Sequence, residues 1–459
     1  MAGRSVGRIA ALKERPQDAY DGADRHLEPY SVPSPATLLY SVFHLNLCYS
    51  SIEENRRPQV VEQCYWPLLR LIRDHELPLG LEASAYTLET IRDIDPSWIE
   101  TLRGLLAAGG CEFVGSGYAQ IAGPLVPADV NAANLKLGNQ VYETLLGVRP
   151  TLALVNEQVF SAGLVEHYLS AGYRAIVMDW DNPARNNPDW ARALGRMPQR
   201  AAGVGGQSIP VLWSHSLGFQ RFQRYAHGDT GLDDFLAYLA KKTGGSNDTG
   251  AYPVYTNDAE VFDFRPGRHK TEPPLDGTGE WARIAQLYAT FLEDPRYRLV
   301  APSEVLDLLE QPRAGTLLRL ESAEHPLPLK KQDKYSIIRW AVTGRDDLRI
   351  NTLCWELFEA LKSRDSASDE DWRELCYLWS SDFRTHITGA RWQTYSQRLE
   401  TFHRNVVSHP AAKARLSKAA AEPASPPPRV ERTGRWLDIE TGALALRMDY
   451  DRGCAIDRL

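Results

Sequence analysis

Residues 151–181 read TLALVNEQVFSAGLVEHYLSAGYRAIVMDWD, and this stretch decides the fold class. Pro150 precedes a short apolar run that ends at Asn156-Glu157, a helical segment over 161–171 stops at Gly172, and a second run, YRAIVMDW, follows. Apolar runs of this kind are strands buried on both faces, so strand, helix and strand in succession form one parallel βα unit. The unit recurs outward in both directions. Upstream, LLYSVFHLNL is a strand. Arg57 to His75 is a helix with Val60, Val61, Cys64, Leu68, Leu71 and Ile72 at helical spacing, and LPLGLEAS from Leu77 is a strand. A helix starting at Ser97 stops at Gly109-Gly110 before the strand CEFVGSG, and a long helix from Val130 to Leu146 is closed by Gly147. Downstream come strand-like IPVLWSHSL, helical LDDFLAYLAKK, strand-like AYPVYTNDAE and helical GEWARIAQLYATFL.

Candidate strands near 38, 77, 111, 151, 173, 210 and 252 predict an α/β fold, an incomplete (β/α)7 TIM-like barrel. The expected organisation is a polar extension over 1–36, the barrel over 37–312 and a helical domain over 313–410 that contains NTLCWELFEALKSR and EDWRELCYLW. An Ala- and Pro-rich linker over 411–434 leads to 435–459, where polar and apolar residues alternate between Gly turns as in the start of a β-sandwich-like domain. That last segment reads as truncated, because a couple of strands do not make a stable sheet.

The chain has 459 residues, 43% hydrophobic and 24% charged, which excludes wholesale disorder and predicts more than one domain. Its net charge of −7 carries no basic stripe, which argues against nucleic acid as a partner. The six cysteines lack paired zinc or redox spacing and read as reduced buried thiols. No segment resembles a signal peptide or a membrane span, so a cytoplasmic protein without membrane contact is expected. The oligomeric state is not legible.

In a parallel barrel, functional groups gather where strands end. The polar residues closing apolar runs are His44, Asn46, Glu82, Glu112, Glu157, Asp179 with Asp181, His215, and Asp258 with Glu260. Carboxylates crowded at one mouth have their pKa values spread apart, which suits acid and base work. A single such carboxylate is more often a cap or an ion-pair partner, and Glu82 is assigned that role. Among the tryptophans, Trp66, Trp98 and Trp355 are assigned to the core, while Trp180 beside Asp179 and Trp213 near His215 are candidate platforms for sugar rings.

Five segments, in order, resemble the conserved regions of glycoside hydrolase family 57: FHLNLCYS, CEFVGSGYAQ, the 152–181 stretch, YTNDAEVFDF and LWSSDFRTHIT. The resemblance implies an enzyme that cleaves or transfers α-glucan oligo- or polysaccharides with retention. On that match Glu157 is the nucleophile, Asp258 the general acid/base and Glu260 a supporting carboxylate. Asp179 and, from the second region, Glu112 and Tyr118 would contact substrate. Asp382 would lie over the barrel mouth, although its position also suits a helix N-cap. The first region departs from the family, with Asn46 where a histidine is usual and Leu47-Cys48 where Gln-Pro is usual, so altered specificity is expected around His44 and Asn46.

Two rival readings are a catalytically inactive carbohydrate-binding homologue and a metal-dependent deacetylase or mannosidase on a related barrel. The second needs clustered His and Asp ligands, and His215, His227 and His269 form no such set, so neither metal nor cofactor is expected.

Overall fold

The computed structural model describes residues 36–49, 51–244, 250–265, 279–321, 337–364, 367–384, 387–408, 428–442, 444–449 and 455–458. The expected N-terminal extension up to residue 35, most of the expected linker, His269 and His386 lie outside the described residues.

The strands are β1 (Thr37–Leu45), β2 (Gly80–Ala83), β3 (Glu112–Val114), β4 (Leu152–Leu154), β5 (Ala175–Asp179), β6 (Gln199–Ala202), β7 (Ser208–Ser214), β8 (Ala251–Asp258), β9 (Tyr297–Leu299) and β10 (Leu317–Leu318). Parallel ladders join β8, β1, β2 and β3 in one sheet and β4, β5 and β7 in another. The Gly115–Ala153 bridge links β3 to β4. All seven strands expected from the sequence are present, and among the described residues no ladder joins β7 to β8. The short strands β6, β9 and β10 were not expected. β6 runs antiparallel to β7, and β9 pairs the first residues of β1.

Side chains alternate across each strand. Leu38, Tyr40, Val42, Val114, Leu152, Ala175, Val177, Leu212 and Ala251 form one buried cluster contributed by all the barrel strands except β2, the packed barrel interior. Leu39, Phe43 and Leu45 point the other way and pack on the helices. Those helices start and stop on local chemistry. Pro96–Ala107 begins one residue earlier than expected, because the Asp95 carboxylate accepts the Ser97 N–H at 3.1 Å and Pro96 occupies the first turn. Ala128–Leu146 ends at Gly147, whose φ of 71° is the left-handed cap.

Beyond the barrel, helices Asp347–Lys362, Asp369–Leu378 and Gly389–Val407 bury Cys354, Leu357, Leu375, Leu378 and Leu399 in the same cluster as the barrel helices. Trp355 corrects an expectation. It is 45% exposed, because its helix position faces away from that core. The chain then forms an antiparallel sheet of β11 (Arg429–Thr433), β12 (Trp436–Glu440), β13 (Ala445–Asp449) and β14 (Ala455–Arg458). β11 takes residues that the sequence assigns to the linker. Among the described residues, no helix is long and apolar enough to cross a membrane.

Candidate active site

The period of two that fills the barrel also selects what crowns it. On β1, Leu38, Tyr40 and Val42 line the interior, and the next residue of that parity is His44. Register sets Glu82 of β2 on one side of His44 and Asp258 of β8 on the other, so the three side chains rise at one level. His44 Nδ1 pairs with the fully buried Glu82, and its Nε2 meets the Gln120 amide at 2.7 Å. Burial alone would depress the imidazole, but the Glu82 carboxylate, helped by Asp258 and Glu260, outweighs it and lifts the pKa to about 9. The pairing with Glu82 thus favours the protonated form of the ring.

A folded-state pKa above the ordinary value of 6.5 means that the pair's contribution is complete below 6.5 and is lost as pH rises through about 9. Thermal melts between about pH 7 and pH 10 should show a fall in Tm across that window in the wild type that is smaller in His44→Gln. Parallel pH profiles for the two proteins would contradict this.

The carboxylates around this ring are held from behind. Glu260 is buried, and its Oε1 accepts from the Tyr65 hydroxyl and the Asn46 N–H. Burial, then the neighbouring Asp258, push Glu260 up, while His44 and Tyr65 pull the other way. The Asn46 amide donates to Asp382 Oδ1 at 2.7 Å and accepts from the Cys48 N–H at 2.9 Å. Asp382 arrives from the turn Ser381–Phe383, between the second and third helices beyond the barrel. Its Oδ2 takes the Ser380 hydroxyl at 2.8 Å, and burial raises its pKa. Thr388 caps the following helix, so Asp382 is no cap for it.

Glu157 lies three residues past the end of β4. It and Gln158 both have left-handed backbones, with φ of 54° and 55°. Two consecutive non-glycine residues in that region cost about 1–3 kcal/mol each and persist only where the surroundings over-determine them. Here they do. Asn156 Nδ2 donates to Ser116 O at 2.8 Å, Gln158 Oε1 accepts the Asp179 N–H at 2.5 Å, and Glu157 Oε1 accepts the Ser381 hydroxyl at 2.8 Å. Ser381 N–H in turn donates to Gln120 O at 2.8 Å. One hydrogen-bonded path therefore runs from Glu82 through His44, Gln120 and Ser381 to Glu157.

Gln120 was not singled out in the sequence, and its loop explains its place. Gly117 has φ of 99°, and a Cβ on Gly138 would come within 2.6 Å of the Gly117 backbone, so helix Ala128–Leu146 packs directly on this loop. Asn134 of that helix accepts from the Ala119 N–H at 2.8 Å, fixing the residue next to Gln120.

Asp179 crowns the interior column Ala175–Val177 on β5 and is 2% exposed. It accepts from Ser216 Oγ at 2.7 Å and Asn182 N at 3.0 Å, and burial, then Asp181, raise its pKa. Burial would raise Asp181 too, but the nearby His215 ring, 3.8 Å away, and a hydrogen bond from the Ser216 N–H hold it below the ordinary range. His215 stacks on Tyr252 with centroids 5.2 Å apart.

Four expectations are corrected. Glu112 opens β3 rather than closing it, level with Val42 and two residues below His44, and its carboxylate accepts the Ser303 N–H at 2.7 Å. The Tyr118 hydroxyl donates to Glu89 at 3.1 Å under the Arg373 guanidinium, so it ties the barrel to the helices beyond. Trp213 is a core residue, 2% exposed, with Nε1 donating to Leu194 O at 3.1 Å. Trp180 is covered by Trp190, Trp213 and Gly195. Neither tryptophan offers an open face for a sugar. Among the described residues, no group of three or more His, Cys, Asp or Glu is arranged to hold a metal ion.

Strand-end carboxylates, one imidazole and a strained acidic turn joined in one network place the chain among the carboxylate-bearing α/β barrels. Residues 39–317 match the profile of glycosyl hydrolase family 57, and the chain belongs to that family. An α-amylase of Pyrococcus furiosus is 22% identical over 122 residues, which is 26% of this chain and 19% of that protein. The match thus spans about a fifth of that curated relative's length. Among solved structures, 4-α-glucanotransferase from Thermococcus litoralis superposes with a TM-score of 0.60 at 16% identity, covering 90% of this chain and 65% of that one. A GH57-type branching enzyme from Pyrococcus horikoshii gives 0.58 at 13% identity, covering 80% and 88%. At these identities the superpositions speak for the fold.

Proposed function

We propose that the protein cleaves α-glucosidic bonds, or transfers the released segment to another sugar, with retention of configuration. Glu157 attacks the anomeric carbon and Asp258 protonates the departing oxygen. Family membership and the names of the relatives, an amylase, a glucanotransferase and a branching enzyme, support the substrate class. The observation that carries the reading is the pair of left-handed residues Glu157-Gln158, strained and pinned on several sides, which is how a reacting side chain is held against its own backbone preference.

Asp258 stands beside His44 in register, and His44 reaches Glu157 through Gln120 and Ser381. A retaining enzyme needs its two carboxyl groups about 5–5.5 Å apart across one bond. The buried Glu260 and His44 stand on either side of Asp258, so the proposed acid/base has both a carboxyl and an imidazole as neighbours. Asn46, Glu260 and Asp382 serve as supports in this scheme, each engaged by its neighbours.

The test is to incubate the protein with maltoheptaose and follow the anomeric proton signals of fresh products. Products first released as the α-anomer, or longer transfer products, are expected. First release of the β-anomer would overturn the retaining mechanism, and sugar binding without turnover would favour an inactive binding homologue.

A further inference from the structure

We infer that Ser381 is a positioning residue for the attacking carboxylate, an inference that rests on Glu157 being the nucleophile. The Ser381 hydroxyl donates to Glu157 Oε1 at 2.8 Å, and Ser381 is 2% exposed while Glu157 is half-buried, so the donor is sheltered and the acceptor stays within reach of a substrate. The hydroxyl is aimed before substrate arrives. Ser381 N–H is anchored on Gln120 O at 2.8 Å, the turn is capped by Ser380, and Asp382 next to it is tied to Asn46 on β1. Glu157 needs such a restraint, because its left-handed backbone is strained and persists only where the surroundings pin it. The donor comes from the helices beyond the barrel, so catalysis depends on that turn being docked.

The chemistry gives the bond a role in one half-reaction above all. In the first, a Glu157 oxygen bonds to the anomeric carbon, the glycosidic C–O bond breaks, and the leaving oxygen takes the Asp258 proton. In the second, Asp258 takes a proton from the incoming hydroxyl as its oxygen bonds to that carbon. The carbon–Glu157 bond breaks, and the electron pair returns to the carboxylate. Ser381 neither gains nor loses a proton. Its O–H stabilises the negative charge that reappears on Glu157 as it leaves, so its loss should slow the second half-reaction more than the first.

The experiment compares wild type, Ser381→Ala, Ser381→Thr and Glu157→Gln on maltoheptaose, with thermal melts for each. Ser381→Ala should lower kcat by about 10- to 100-fold, lower KM with it, and let a glycosyl-enzyme build up that intact-mass measurement detects. The acidic limb of its pH profile should move to higher pH, since the Glu157 carboxylate loses a donor. Ser381→Thr, which keeps the hydroxyl, should restore most of the rate. If Ser381→Ala does not fold, Ser381→Cys, of similar size and a weaker donor, should show the same changes in reduced form.

A folded Ser381→Ala with unchanged kcat, KM and pH limb would overturn the inference while an inactive Glu157→Gln left the functional reading intact. Turnover retained in Glu157→Gln would overturn that reading itself.

Discussion

Glu157→Gln is expected to lower maltoheptaose turnover by about 10³- to 10⁵-fold while changing its binding by no more than a few fold. The substitution keeps shape and the Oε1 acceptor for Ser381, so the turn at Asn156–Gln158 should survive. What it removes is the negative charge and the second oxygen able to form an ester, and an amide does not replace either. Calorimetric titration and a rate assay on the same preparation separate the two effects. Equal losses of binding and rate would mean that the turn had rearranged, and an unchanged rate would remove Glu157 from the mechanism.

Arg384→Ala is expected to reduce folding stability by about 3–5 kcal/mol. Arg384 is 3% exposed and lies directly behind the Ser381–Phe383 turn. Its guanidinium reaches Asp347 at 3.3 Å, Trp340 O at 2.9 Å and Asn351 Oδ1 at 2.9 Å. Truncation leaves the Asp347 carboxylate buried without its cation, and that penalty exceeds the worth of the pair itself. Burial already pushes Asp347 up to about 6 against the pull of Arg384. Without Arg384 it rises further, and a carboxyl raised in the folded state contributes less stability as pH climbs through its pKa. The variant should therefore lose more stability at about pH 8 than at about pH 5, as read by chemical denaturation at both. Arg384→Met combined with Asp347→Leu should recover much of the loss. A single variant with unchanged stability would show that the buried pair does not hold the turn.

The strand order and the strand-end residues were legible because burial on both faces leaves long apolar runs, and because the last residue of the right parity must meet solvent or substrate. His44, Asp179 and Asp258 follow from that rule alone. Glu112 shows its limit: the parity was right, but it stands at the start of a three-residue strand, and a sequence does not mark which end of so short a run faces the mouth. Trp213 was misread because a tryptophan beside polar strand-end residues looks alike whether its ring faces out or packs inward. Gln120 was not singled out, and Ser381 was legible only as part of the polar break in LWSSDFRTHIT, for a different reason. Each acts through contacts with residues remote in sequence, Ser381 with Glu157 across a separation of 224 positions, and no local pattern encodes that. The strain at Glu157-Gln158 is likewise visible only in backbone angles.

The proposed mechanism requires Glu157 to form the bond to sugar while Asp258 moves the proton. Incubation with a fluorinated α-glucosyl fluoride that forms the glycosyl-enzyme quickly and releases it slowly, followed by peptide mapping, tests this directly. One hexosyl adduct is expected, on the peptide containing Glu157, accumulating more in Asp258→Asn than in wild type when the leaving group needs no proton. An adduct on Asp179, Glu260 or any other carboxylate, or steady turnover with no adduct at all, would contradict it.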